Sequence, residues 1–118
     1  MKLTVASSEA GVTCVDCEGD ITQSDLWEEE NPLEKLLGED KYSGKVLVSL
    51  ARAVYIDSAG VGFFIGCHER FTKAGGMLVL HSIPPMVNHI FQLLQMHTVL
   101  HLAKEEADAR AMLVGGRP

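Results

Sequence analysis

One serine stands where reactive chemistry could be placed, in the run Val54-Tyr55-Ile56-Asp57-Ser58-Ala59-Gly60-Val61-Gly62-Phe63-Phe64-Ile65-Gly66. An apolar strand end precedes it, and a helical pattern carrying three glycines follows. A serine at such a junction can cap the helix, because its hydroxyl lies beside unsatisfied backbone N–H groups. It also resembles a nucleophile elbow superficially. That elbow requires G-x-S-x-G, whereas Ile56 occupies the first glycine position, and 118 residues is short for an α/β-hydrolase, so the chain is not read as an enzyme. Capping alone leaves the glycines unexplained. Asp57 is sufficient as a cap, and Gly60, Gly62 and Gly66 each weaken a helix interior by about 1 kcal/mol relative to alanine. The composition therefore implies that something comes close to this turn.

The remaining reactive side chains are dispersed. Cys14 and Cys17 form a C-x2-C pair with no second pair, and Cys67 is distant. Side chains alternate along a strand, so an offset of three places Cys14 and Cys17 on opposite faces and argues against a metal site. Of the five histidines, His97 and His101 are four apart, but a turn and a strand are expected between them, which removes the helical metal-binding geometry. The histidines His68, His81, His89, His97 and His101 are expected at the surface or at sheet edges. No cofactor or metal is expected.

Composition bounds the remaining possibilities. Of 118 residues, 47% are hydrophobic and 22% charged, which suits one globular domain over residues 1–118. The net charge of −6, with scattered Lys and Arg, offers no basic stripe for nucleic acid and suits a basic partner surface better. No run approaches the ~20 apolar residues of a membrane span, and no basic-then-apolar leader is seen, so membrane insertion is not expected and a cytoplasmic location is. The odd number of cysteines agrees with a reducing compartment.

Periodicity then supplies the elements that must position the serine. Leu3–Ala6 and Val12–Cys17 read as an opening hairpin, with the chain leaving the strand at Gly19-Asp20-Ile21-Thr22. Asn31 as N-cap, Pro32 at the first helical position and Glu34 predict a short helix over 32–37 with Gly38 as its stop. Trp27 is expected to cover the core and Glu28-Glu29-Glu30 to face solvent. Lys41–Gly44 is read as a loop and Val46–Ala51 as a strand buried on both faces. From Ser58 to about Ala74, Val61, Phe64, Ile65, His68 and Phe71 form one stripe, with Phe63 pointing away from it as either a partner contact or an edge cover. Ala74-Gly75-Gly76 ends that helix, and Met77–Leu80 makes the next buried strand. Pro84-Pro85 opens a helix with Val87, Ile90, Phe91 and Leu94 on one face. Val99–Leu102 is a last strand, Lys104–Leu113 a last helix, and residues 114–118 are expected to fray. The fold class is α/β: a small mixed sheet of about four to five strands with helices mainly on one face. Strand, helix, strand connections place Ser58 at the carboxyl end of a parallel strand, where partners tend to bind.

Ile56-Asp57-Ser58-Ala59-Gly60-Val61-Gly62, followed by Lys73-Ala74-Gly75-Gly76-Met77-Leu78-Val79-Leu80, resembles the STAS domains, specifically the bacterial anti-sigma factor antagonists. The resemblance runs from about Val46 to Leu113 and, more loosely, to the N-terminus. It implies a single STAS-type domain in which Ser58 is the phosphoacceptor and Asp57 its acidic neighbour. It also implies a partner surface over Asp57, Ser58, Ala59, Gly60, Gly62, Phe63, Asp20 and Thr22. In such relatives the unphosphorylated form binds an anti-sigma factor serine kinase that also sequesters a sigma factor. Phosphorylation ends the binding, and a metal-dependent serine phosphatase restores it. ATP and Mg2+ would belong to the kinase.

Three places depart from that pattern, one of them Gln95-Met96-His97, where relatives carry threonine-glycine-leucine and where a different turn is expected. Thr22 stands where relatives carry an aspartate that contacts the kinase, with Asp20 as a partial substitute. Ser49 replaces another usual aspartate, expected near the phosphorylation turn. These changes keep open a second reading, a STAS docking or scaffold subunit of a lipid-transport or signalling complex without phospho-switching.

Overall fold

The computed structural model describes residues 1–23 and 31–115. The expectations for Trp27 and Glu28-Glu29-Glu30, and for fraying beyond residue 115, lie outside the described residues. Strands β1 (Lys2–Glu9), β2 (Val12–Ile21), β3 (Lys45–Ile56), β4 (Met77–His81) and β5 (His101–Ala103) form one sheet in sequence order. β1 pairs antiparallel with β2, and every later pair is parallel. Parallel neighbours need crossovers. These run through α1 (Pro32–Leu37), α2 (Ser58–Ala74) and α3 (Pro85–Leu93), and α4 (Glu106–Gly115) follows β5.

Strand alternation divides the core in two. On one face Val15, Cys17, Val46, Val48, Leu78 and Leu80 pack with Leu33 of α1, Phe64 and Phe71 of α2, and Val87 and Phe91 of α3. On the other, Cys14, Leu47 and Val79 are covered by Ala109, Met112 and Leu113 of α4. Three helices on one face and one on the other match the expected architecture. Cys14 and Cys17 do fall on opposite sides of the sheet.

Local signals account for several boundaries. Asn31 accepts hydrogen bonds from the Leu33 and Glu34 amides at 2.8 and 3.1 Å, which fixes the start of α1. At the end of α2, Gly75 takes φ +85 and donates to the Phe71 and Thr72 carbonyls. A Cβ on Gly76 would collide with the Tyr42 and Gly44 carbonyl oxygens, so the second glycine is required by close backbone approach.

Other boundaries differ from expectation. β2 does not end at Gly19. The β2–β3 register slips twice, between Asp16 and Glu18 and between Gly19 and Asp20, and Gly19 adopts φ +86. At the second slip Val54 of β3 is the extra residue opposite Gly19 and Asp20, and Gly19 with its positive φ carries β2 on to Ile21. β3 likewise runs past Ala51 to Ile56, and Glu39–Ser43 is a 3₁₀ turn where a loop was expected to begin. Leu94 lies beyond α3 and is 48% exposed, off the buried face assigned to it. Gln95 turns the chain at φ +54, a 3₁₀ turn follows over Met96–Thr98, and β5 consequently starts at His101 and not Val99. His81, expected at the surface, is buried, with Nδ1 2.8 Å from Ser82 Oγ. Burial also lowers its pKa. His101 meets His68 edge to face at 5.1 Å.

Candidate functional site

The Asp57-Ser58 turn is built by the carboxyl ends of β2 and β3 and the first turn of α2. Ile21 and Ile56 are fully buried, and the Asp57 amide donates to the Ile21 carbonyl at 3.2 Å, which joins the two strand ends. The N-cap is Asp57 and not Ser58. Its Oδ1 accepts the Gly60 amide at 2.9 Å, and its Oδ2 accepts the Gln23 amide at 3.1 Å. These bonds, that to Gly60 foremost, hold the carboxyl below its ordinary pKa. Asp57 is thus a fixed negative charge that clamps the segment after β2 to the start of α2.

Ser58, relieved of capping, is the first residue of α2, and its side chain is exposed. The first-turn amides are only partly open, because Gly60 donates to Asp57 Oδ1 and Val61 donates to the Asp57 carbonyl at 3.0 Å. A group attached to the Ser58 hydroxyl would therefore project into solvent beside an ionised carboxylate, at the positive end of a 17-residue helix.

The expected partner residues divide by cause. Asp20 is exposed and pairs with Tyr55 across β2 and β3, while Thr22 is half-buried between Ile21 and Gln23, so both lie on the edge that carries Ser58. Ala59 is half-buried on the first turn. Gly60 is buried, and a Cβ there would collide with the Ile21 carbonyl oxygen and come within 2.6 Å of Ile56 Cγ1. Its smallness is required by the chain's own packing, which accounts for one of the three glycines without a partner. Gly62 and Gly66 are different: a Cβ on either would meet nothing within 4 Å. Phe63 is half-buried, packs on the core and lies 5.2 Å from the Phe64 ring, so it covers an edge of the core.

Two features of the neighbourhood depart from the sequence reading. Ser49 was expected near the turn, but it lies seven positions before Ile56 on β3, a span on the order of 20 Å at about 3.3 Å per strand residue. It instead accepts the Ala51 amide at 3.3 Å and pairs with Asp16 and His81. Val54 and Tyr55, read as an apolar strand end, are 64% and 43% exposed. β4 pairs with β3 only as far as Ser49, so the end of β3 projects beyond its neighbour and these two apolar residues flank the serine turn. An apolar strand end carries no signal for this, because the length of one neighbouring strand and the register of the other decide it.

Among the described residues no helix is long and apolar enough to cross a membrane. The sequence profile of the STAS domain matches residues 6–109. Three solved structures share the architecture over nearly the whole chain. The Thermotoga maritima protein TM1081 superposes with a TM-score of 0.70 at 13% identity, covering 95% of this chain and 92% of that one. The anti-sigma factor antagonist SpoIIAA in its unphosphorylated form gives 0.69 at 17% identity, with 99% of each chain covered. The phosphorylated form of SpoIIAA, a Bacillus cell fate determinant, gives 0.60 at 14% identity, covering 90% of this chain and 95% of that one. At such identities the structures speak for the fold, and the profile match for kinship. With a match that spans most of its length and a five-stranded mixed sheet of the same form, this chain belongs to the STAS domain family.

Proposed function

We propose that the chain is a partner-switching regulator of the anti-sigma factor antagonist type. In this reading its unphosphorylated form binds an anti-sigma factor serine kinase, and phosphorylation at Ser58 ends that binding. The observation that carries the proposal is the division of labour at the turn: Asp57 caps the helix, which leaves Ser58 exposed at its first position with no structural duty. Ser58 is then a substrate residue, and the chain itself is not an enzyme. The surrounding surface suits docking, with Val54 and Tyr55 exposed on one side and Gly62 and Gly66 open on the other. Exposed aromatics and close backbone approach both favour an interface.

Electrostatics supplies the switch. A phosphoryl group brings about −1.5 to −2 charges at neutral pH. The helix end tolerates it, because the dipole opposes the charge and no buried group must move. A partner lying over the turn does not. It would have to desolvate a dianion beside the fixed Asp57 carboxylate, and like-charge or desolvation penalties of several kcal/mol correspond to a loss of about 100-fold or more in affinity. The fold of SpoIIAA is known in both phosphorylated and unphosphorylated forms, in keeping with a local switch.

The test is incubation with the candidate serine kinases of the same genome and ATP, followed by peptide mass analysis. Phosphate at Ser58 is expected, with Ser58→Ala retaining kinase binding and Ser58→Asp losing it. Absence of phosphate, its appearance at another residue, or equal kinase affinity for the two variants would overturn the proposal. The second reading, a docking subunit without switching, is favoured by Thr22 in place of the acid that relatives present to the kinase. It predicts a partner that binds Ser58→Asp and wild type alike.

A further inference from the structure

A groove of about 790 Å³ opens at the same carboxyl edge of the sheet, past the ends of β4 and β5, and shares no residue with the serine turn. Its walls come from α3, from the 3₁₀ turn at Met96–Thr98 and from the chain leaving β5. The Ser82 amide donates to the Lys104 carbonyl at 3.2 Å and so ties the exits of β4 and β5 together beneath it. Ile83, Pro85 and Leu102 give the groove its accessible apolar lining, with Phe91 buried beneath them. Asn88 and Gln92, one turn apart on α3, line it together with His97 and Lys104.

The charge of this lining is at odds with that of the chain. The protein carries 16 acidic and 10 basic residues, yet none of the groove's lining residues is acidic. Lys104 is exposed and has no ion-pair partner among the described residues. The acids that follow it in sequence, Glu105 and Glu106, do not line the groove, and Glu106 is held by Arg110 at 2.8 Å. The groove therefore presents N–H donors and one uncompensated cation around an apolar floor, at the edge where open α/β sheets bind ligands.

We propose that this groove binds a small carboxylate-bearing amphiphile, with its apolar body on Ile83, Pro85 and Leu102 and its carboxylate directed to the Lys104 ammonium and the Asn88 and Gln92 carboxamides. Chemistry selects the class: the floor gains from burial of a short aliphatic or aromatic body, while the donors favour an anion over a neutral or cationic head. The volume accommodates a chain of octanoate size.

Titration of the full chain with sodium octanoate, followed by 1H–15N correlation spectra, tests this directly. Saturable shifts centred on Asn88, Gln92, Ala103 and Lys104 are expected at millimolar ligand or below. Octanamide, which keeps the body and loses the charge, should bind more weakly. Lys104→Gln should lower octanoate affinity about fivefold and leave octanamide affinity unchanged, since the charge is exposed. Gln92→Trp, at an exposed helix position, should block both ligands while amide dispersion shows the fold intact. A linear titration, shifts centred on other exposed apolar residues such as Val54 or Leu93, or unchanged octanoate binding by Lys104→Gln would overturn the proposal. None of these outcomes depends on the function assigned to Ser58.

Discussion

Replacing Gly60 by alanine should destabilise the protein, whereas the same replacement at Gly62, two residues further along the same helix, should stabilise it. Helix propensity alone predicts a gain at both, because glycine in a helix interior costs about 0.8–1 kcal/mol relative to alanine. At Gly60 the new methyl would collide with the Ile21 carbonyl oxygen and approach Ile56 Cγ1 to 2.6 Å. The carbonyl cannot yield cheaply, since it accepts the Asp57 amide at 3.2 Å and ends a strand whose last residue is fully buried. Overpacking of this kind costs about 1–3 kcal/mol, occasionally more, and outweighs the propensity gain. At Gly62 a methyl meets nothing within 4 Å, so only the gain remains. Thermal unfolding followed by circular dichroism measures both. For a domain of this size about 4 °C accompanies each kcal/mol, giving, once the propensity gain is set against the overpacking, a fall of up to about 8 °C for Gly60→Ala and a rise of about 3–4 °C for Gly62→Ala. Equal or higher stability of Gly60→Ala, or a loss at Gly62→Ala, would refute the assignment of Gly60 to internal packing and Gly62 to open surface. If Gly62 lies beneath a partner, Gly62→Ala should weaken kinase binding in spite of its greater stability.

Asp57→Ala removes the acceptor for the Gly60 and Gln23 amides and should cost about 1–2 kcal/mol in urea unfolding; a loss below a few tenths would show that the clamp does not matter. Because the Asp57 pKa is lowered in the folded state, its contribution is present above about pH 4 and is lost as pH falls through the folded pKa, so Asp57→Asn should flatten the acid limb of the stability curve. Burial lowers the pKa of His81, which favours the neutral ring in the native state. Stability should therefore decline as pH drops below about 6.5, and His81→Gln should reduce that slope. Burial pushes the Cys17 thiol up to about 12 and the Cys67 thiol up to about 11, so at pH 8 both should resist alkylation in the native state and react once urea unfolds the chain, as mass spectrometry would show.

The ordering of elements was legible because local rules govern it. Asn31-Pro32, Ala74-Gly75-Gly76 and the stripe Val61, Phe64, Phe71 specify caps and a buried face from short-range chemistry, and α1 and α2 lie where those signals put them. The alternation of Cys14 with Cys17 likewise follows from strand geometry. The motif around Ser58 marks the candidate site for the same reason, since a strand end, an acid, a serine and glycines are contiguous.

What the residues next to each other could not decide was which groups meet across the sheet. The same apolar letters describe Val48, which is buried, and Val54, which is exposed; Val48 is paired with a neighbour on each side, whereas Val54 lies beyond the last residue that β4 pairs and is the residue skipped where the β2–β3 register slips. Gly60 and Gly62 are alike in sequence, yet the Ile21 carbonyl, nearly forty positions away, makes one obligatory and leaves the other open. Ser58 and Asp57 were both competent caps, and the Gln23 amide arriving from the end of β2 engages the acid and leaves the hydroxyl outside. Capping and periodicity act over a few residues, so the sequence alone determined the elements and the position of the turn. Strand length, register and backbone approach are settled between distant segments, and only the assembled sheet decided which atoms of that turn face the solvent.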